Sequence, residues 1–187
     1  MLGFNGGLMG VRKVPTTGSA SGLWMPNEQS VAQRAGIWPL LKAVTRYYRF
    51  NNFAATSLNS NTIDLSEIRF YNGDTVLTGI TTTTSFSWDA GSASVLTDGN
   101  LTNRTYTESW STAQPTATFS FDFGSATLIT HVELYIQYEI ISGPRFPATF
   151  DMQSSSDGTN YTPYATVTKG AVTLYSGAVD KTAKLEV

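Results

Sequence analysis

No cysteine occurs among the 187 residues. That excludes disulfide frameworks, thiolate metal sites and cysteine nucleophiles, and leaves packing to supply stability. Histidine occurs once, at His131, too few for a histidine metal cluster. Charge is sparse: 14% of residues are charged and the formal net charge is −2. No basic field exists to hold a nucleic-acid backbone by counterion release, so nucleic acid is not an expected partner. Apolar runs are short, and none approaches the length of a membrane span, so no membrane insertion is expected. The first residues are interrupted by Gly3, Gly6, Gly7 and Gly10, so a signal peptide is not expected either. Helix formers are thin beside Thr, Ser, Gly, Tyr, Phe and Val, which argues against a helical bundle and for an all-β fold.

The length allows one ordinary domain and an appendage, and the pattern changes near residue 43. Residues 1–43 lack strand alternation and hold much of the turn chemistry, including Pro15 to Gly22. Within this arm, Pro26-Asn-Glu-Gln leads through Ala35 to Gly36, which predicts one short helix with Asn27 as N-cap and Gly36 just past its end. Leu23, Trp24, Met25, Ile37, Trp38 and Leu40 surround that helix. Such side chains need a surface to bury against. They either buttress the arm's own sandwich or anchor it to another subunit, and the second is the expectation.

Residues 44–187 read as short alternating strands between Gly, Asn, Asp, Ser and Pro clusters, the mark of a sandwich or barrel. Phe119, Phe121 and Phe123 share one strand face. Val132, Leu134, Ile136 and Tyr138 share another, with His131, Glu133 and Gln137 opposite. Tyr48 with Phe50, Ile68 with Phe70, and Phe150 with Met152 are further inward pairs, and the stretch from Ala171 to Val187 is expected to supply the last strands.

Four phrases resemble the discoidin, or coagulation-factor C-type, family. Asp98-Gly-Asn100 with Trp110 beyond it is similar to the family's Asp-Gly-Asn loop and tryptophan. Ser120 to Gly124 followed by Ile129 to Tyr135 resembles its Asp-Leu-Gly strand and the strand after it. Arg145 to Tyr161, ending Ser156-Asp-Gly-Thr-Asn-Tyr161, resembles its hairpin that ends in Ser-Asp-Gly-x-Asn-Trp, with Tyr in place of Trp. Arg46 to Phe50 with Ile63 to Phe70 looks like the segment that normally ends the domain, yet here it comes first. The resemblance implies a jelly-roll β-sandwich of galactose-binding-domain type in permuted order. Separately, Gly22-Leu-Trp-Met-Pro-Asn-Glu-Gln29 and Ala32 to Pro39 resemble N-terminal attachment segments of tailed-phage virion proteins, particularly phages of cyanobacteria. That implies a virion component made in the host cytoplasm, with other virion proteins as partners, a host-surface glycan as a further one, and a homo-oligomer, a trimer being favoured for its cyclic closure.

Catalysis is not expected, because the carboxylates are scattered and His131 lies on a strand's polar side. By the same family resemblance, one structural calcium ion would take side-chain oxygens from Asp98 and Glu67 and an oxygen from Asn100. Asn103 stands where the family has Thr, and an ion-free loop held by side-chain turns remains the alternative. Saccharide recognition would use an aromatic ring with a guanidinium or amide at one end of the sandwich, and Trp88, Arg104, Tyr106, Tyr138 and Arg145 are the candidates. Asp122 is expected to be structural and Trp110 to lie in the core.

Overall fold

The computed structural model describes residues 42–54, 63–106, 113–139, 143–144, 146–169, 172–176, 179–182 and 184–187. The chain divides into two units, Met1–Lys42 and Ala43–Val187, and the second is described here by itself. The short helix expected after Pro26, the apolar residues Leu23, Trp24, Met25, Ile37, Trp38 and Leu40, and also Trp110 and Arg145, lie outside the described residues.

The second unit is a sandwich of antiparallel strands. In chain order they are β1 (Thr45–Asn51), β2 (Asp64–Asn72), β3 (Thr75–Val76), β4 (Thr81–Thr84), β5 (Thr105–Tyr106), β6 (Phe119–Thr127), β7 (His131–Glu139), β8 (Gly143–Pro144), β9 (Thr149–Ser155), β10 (Thr162–Thr168), β11 (Val172–Ser176), β12 (Val179–Thr182) and β13 (Leu185–Glu186). A short 3-10 helix, Ala93–Thr97, lies between β4 and β5. One sheet runs β10-β9-β1-β6-β4; the other runs β11-β12-β7-β2-β3, with β13 and β8 against β7 and β5 against β2. The stretch from Ala171 to Val187, expected to supply the last strands, holds β11, β12 and β13.

Side-chain alternation explains why the two layers meet. Tyr48 and Phe50 of β1, Phe119 and Phe121 of β6, and Phe150 and Met152 of β9 are buried against Ile68 and Phe70 of β2 and Val132, Leu134 and Ile136 of β7. Phe70 crosses the interlayer, with its ring centroid 4.7 Å from Phe121, 5.2 Å from Phe123 and 5.8 Å from Phe50. Each buried phenylalanine contributes about 2 kcal/mol by area, and tilted or edge-on ring pairs add roughly 1 kcal/mol.

Two features depart from plain alternation. In β2 the register against β7 slips between Leu65 and Glu67, so Ser66 is an extra residue. The slip lets Leu65 and Ile68, three apart, both face the core, and it turns Glu67 to the outer side, where its carboxylate meets the loop after Thr97. On β7, Glu133 does stand opposite the core face, but that face is not open to water. Glu133 is 4% exposed and accepts hydrogen bonds from the Tyr71 and Tyr135 hydroxyls at 2.6 and 2.8 Å and from Lys181 at 3.1 Å. Burial alone would raise its proton affinity; these donors outweigh burial and hold its carboxyl below the usual range. Burial and this carboxylate together push the Tyr71 hydroxyl up to about 12.

Candidate functional site

The loop Asp98 to Asn103 is built on its own side chains. Asp98 Oδ1 accepts from the Asn100 backbone N–H at 2.7 Å, and Asn100 Oδ1 accepts from the Thr102 N–H and hydroxyl. These are Asx turns, which fix a short polar loop without secondary structure. Asn103, the departure from the family pattern, donates its amide to Asp98 Oδ2 at 3.2 Å. From beneath, both Glu67 oxygens accept from the Gly99 N–H at 3.1–3.2 Å. Glu67 is 3% exposed, and its carboxyl is pushed up to about 7, first by burial and then by the charge of Asp98, against the opposing pull of the Gly99 hydrogen bond.

The three residues proposed from sequence for calcium therefore come together. Their donor set is all oxygen, the chemistry a hard cation requires. A buried carboxylate destabilised by a second carboxylate is relieved by such an ion, so the residues fit it. Among the described residues no group of three or more His, Cys, Asp or Glu side chains gathers, so any further ligands would be backbone, amide or hydroxyl oxygens or water.

Beyond this loop, β5 carries Tyr106 back beside β2. The Arg104 guanidinium lies 5.1 Å from the Tyr106 ring centroid and 3.6 Å from the buried Asp64 carboxylate, with about half the arginine side chain exposed. The turn around Ala90 closes on the same place: Ala90 and Tyr106 pair backbone to backbone. Gly91 sits there with φ +83, and a Cβ would come within 2.7 Å of the Arg104 carbonyl, so only glycine lets the two loops touch. Trp88 packs against Phe86 and Phe119 at centroid distances of 5.0 and 5.7 Å. Its indole nitrogen is buried without a hydrogen-bond partner among the described residues. Tyr138 stands in β7 opposite Pro144, and its side chain is outside the described set. The structure thus brings Arg104 and Tyr106 together, while Trp88 joins the core edge.

A second concavity was not foreseen. The outer face of the five-stranded sheet forms a groove of about 680 Å³ lined by Tyr47, Arg49, Thr81, Thr83, Ser120, Asp122, the loop Asp157 to Thr159, and Tyr161. Register produces it: Thr81, Asp122 and Tyr47 stand in one row across β4, β6 and β1, and Thr83, Ser120 and Arg49 in the next. Asp122 is gripped by Arg46 through two hydrogen bonds of 2.7 and 2.8 Å, which hold its carboxyl below the usual range. It also lines the groove.

The F5/8 type C domain matches residues 79–186. The chain belongs to that family. The discoidin match starts ahead of β4, yet β1 and β2 precede it and occupy interior positions in the two sheets. The domain therefore includes strands upstream of the matched stretch, where the phrases Arg46 to Phe50 and Ile63 to Phe70 lie. Discoidin domains are carbohydrate- or ligand-binding modules. No match is found among curated proteins or solved structures.

Proposed function

We propose that residues 43–187 are a non-catalytic saccharide-binding module, and that the segment through Leu40 ties it to a virion of the tailed-phage kind, where it faces the host surface. The observation that carries the binding part is the Arg104–Tyr106 pair: a half-exposed guanidinium over a phenol ring, on a loop held rigid by Asp98, Asn100 and Glu67. An aromatic face for sugar C–H groups beside a planar fork for hydroxyls is the combination that saccharide recognition uses. One calcium ion at Glu67, Asp98 and Asn100 would stiffen that loop. Arg104→Lys keeps the charge but loses the fork; on an array of cell-surface glycans the full-length variant should bind its best ligand at least ten-fold more weakly. Equal binding by Arg104→Lys and the unaltered chain would remove the loop end from recognition.

The virion part rests on the arm's resemblance and on its apolar content, which falls in the separate unit Met1–Lys42. In the full chain, Trp24→Ser with Trp38→Ser should abolish the homo-oligomer, expected to be a trimer, or attachment to particles. Analytical ultracentrifugation showing one unchanged monomeric species for both proteins would count against an anchoring arm.

A further inference from the structure

We infer that the outer face of the five-stranded sheet is a second saccharide site, separate from the loop end, and that its ligand is a neutral oligosaccharide. This goes beyond the loop-end reading and stands or falls independently of it. The floor of the groove is β6, paired on both sides by β1 and β4, and β1, paired by β6 and β9. The backbone groups of β6 and β1 are used in the sheet, so along this floor side chains alone meet a ligand. What faces outward is hydroxyl-rich: Thr81 and Thr83 are exposed on the sheet's edge strand, with Ser120 beside them.

Arg49 and Tyr161 supply the opposite wall. The Arg49 guanidinium stacks 4.1 Å from the Tyr161 ring centroid, and its Nε donates to Gln153 at 2.7 Å. The remaining N–H groups are therefore presented in a fixed plane, so little freedom is lost when a ligand binds. Gly158 brings the 157–161 loop against the Tyr47 ring, completing the wall with a second aromatic.

Charge selects the class of ligand. The charged residues that line the groove are Arg49, Asp122 and Asp157, and Arg46, beside it, is paired with Asp122. The Asp157 carboxylate is turned into its own loop, where the Thr159 and Asn160 N–H groups, the Asn160 amide and the Ser155 hydroxyl all donate to it. Two cations and two anions leave no net field to attract a sulfated or phosphorylated ligand. Neutral hydroxyls are the groups that Thr, Ser and a partly used guanidinium can bond. From β4 to the loop above β9 the row spans about three strand spacings, roughly 14 Å, which suits a chain of sugar rings rather than one.

Affinity electrophoresis of the full chain in gels containing neutral glucan, mannan, galactan or xylan, with heparin as the acidic comparison, tests this. At least one neutral polymer should retard the protein more than heparin does. Thr83→Lys, which fills the groove from an exposed position, and Tyr161→Ala should each raise the dissociation constant at least ten-fold. Val76→Lys, the same added charge on the other sheet, should change nothing. Absence of retardation by all four neutral polymers, or stronger retardation by heparin, overturns the proposal. So does retention unaltered by Thr83→Lys, and loss confined to Arg104→Lys would assign the binding to the loop end alone. Thr83→Lys decides if Tyr161→Ala does not fold.

Discussion

At Asp157 the carboxylate accepts four hydrogen bonds from its own loop, from the Thr159 and Asn160 backbones and from the Asn160 and Ser155 side chains. Its proton affinity falls well below the usual carboxylate range, chiefly because of the Asn160 N–H. At Asp98 the same Asp-Gly opening accepts from the Asn100 N–H and the Asn103 amide, but a second carboxylate, Glu67, lies buried beneath it and accepts the Gly99 N–H through both oxygens. One loop is electrostatically complete. The other concentrates negative charge in a place that burial makes costly. The difference between the two loops lies in what the neighbouring strand puts under them, here the bulge at Ser66 that aims Glu67, and it is the ground for proposing a cation at the Asp98 loop.

Glu67 is the sharpest place to break this difference. In protein kept metal-free with a chelator, Glu67 is pushed up to about 7 from an ordinary value of 4.5. Below 4.5 both folded and unfolded chains hold the proton. Between 4.5 and about 7 the folded chain holds more protons, so stability falls as pH rises, and above about 7 the loss is complete. That loss is on the order of 3 kcal/mol. Glu67→Gln should therefore flatten this pH window and be the more stable protein at pH 8, as read from urea midpoints at several pH values. A wild-type profile flat between pH 4.5 and 7 would contradict the buried charge.

Calcium should produce the next largest effect. Added at pH 8 to about one hundred times its dissociation constant, it should stabilise the wild type by about 2.7 kcal/mol. At pH 5 a proton already occupies Glu67 and the gain should shrink; in Glu67→Gln it should nearly vanish. The Asp157 loop, complete without an ion, should not contribute, so Asp157→Asn should keep the full calcium response. Thermal melts with and without calcium distinguish these cases, and an equal calcium gain in Glu67→Gln would place the ion elsewhere.

Much of the sandwich was legible because alternation is local: Phe119 and Phe121, or Val132, Leu134 and Ile136, name their inward face within a few residues. The Asp98 loop was legible because its Asx turns are also local. The groove was not. Its rows join Thr83, Ser120 and Arg49 from strands up to about seventy residues apart, and nothing in any one strand says which partner lies beside it. The outward complement Tyr47, Arg49, Ser120 and Asp122 was readable strand by strand, but the face exists only once β1 is known to pair with β6. The burial of Glu133 escaped for the same reason, since Tyr71 and Lys181 reach it from other strands.

The smallest effect tests whether the Asp157 loop matters to binding as well as to folding. Gly158 has φ +74, a left-handed conformation that costs an L-residue roughly 1–2 kcal/mol. A Cβ there would meet only the Tyr47 ring, at 3.4 Å, which is ordinary contact. Gly158→Ala should therefore lose about 1 kcal/mol of stability through backbone strain rather than through a clash. The Asp157 hydrogen bonds resist relaxation of the loop, but any relaxation moves Tyr161 relative to Arg49, because Tyr161 sits on the segment that the turn positions while Arg49 is fixed in β1. Retention by the neutral polysaccharide that binds the unaltered protein should fall several-fold, while the calcium response at the Asp98 loop stays intact. Unchanged retention together with the stability loss would separate the turn from the groove and confine Asp157 to a folding role.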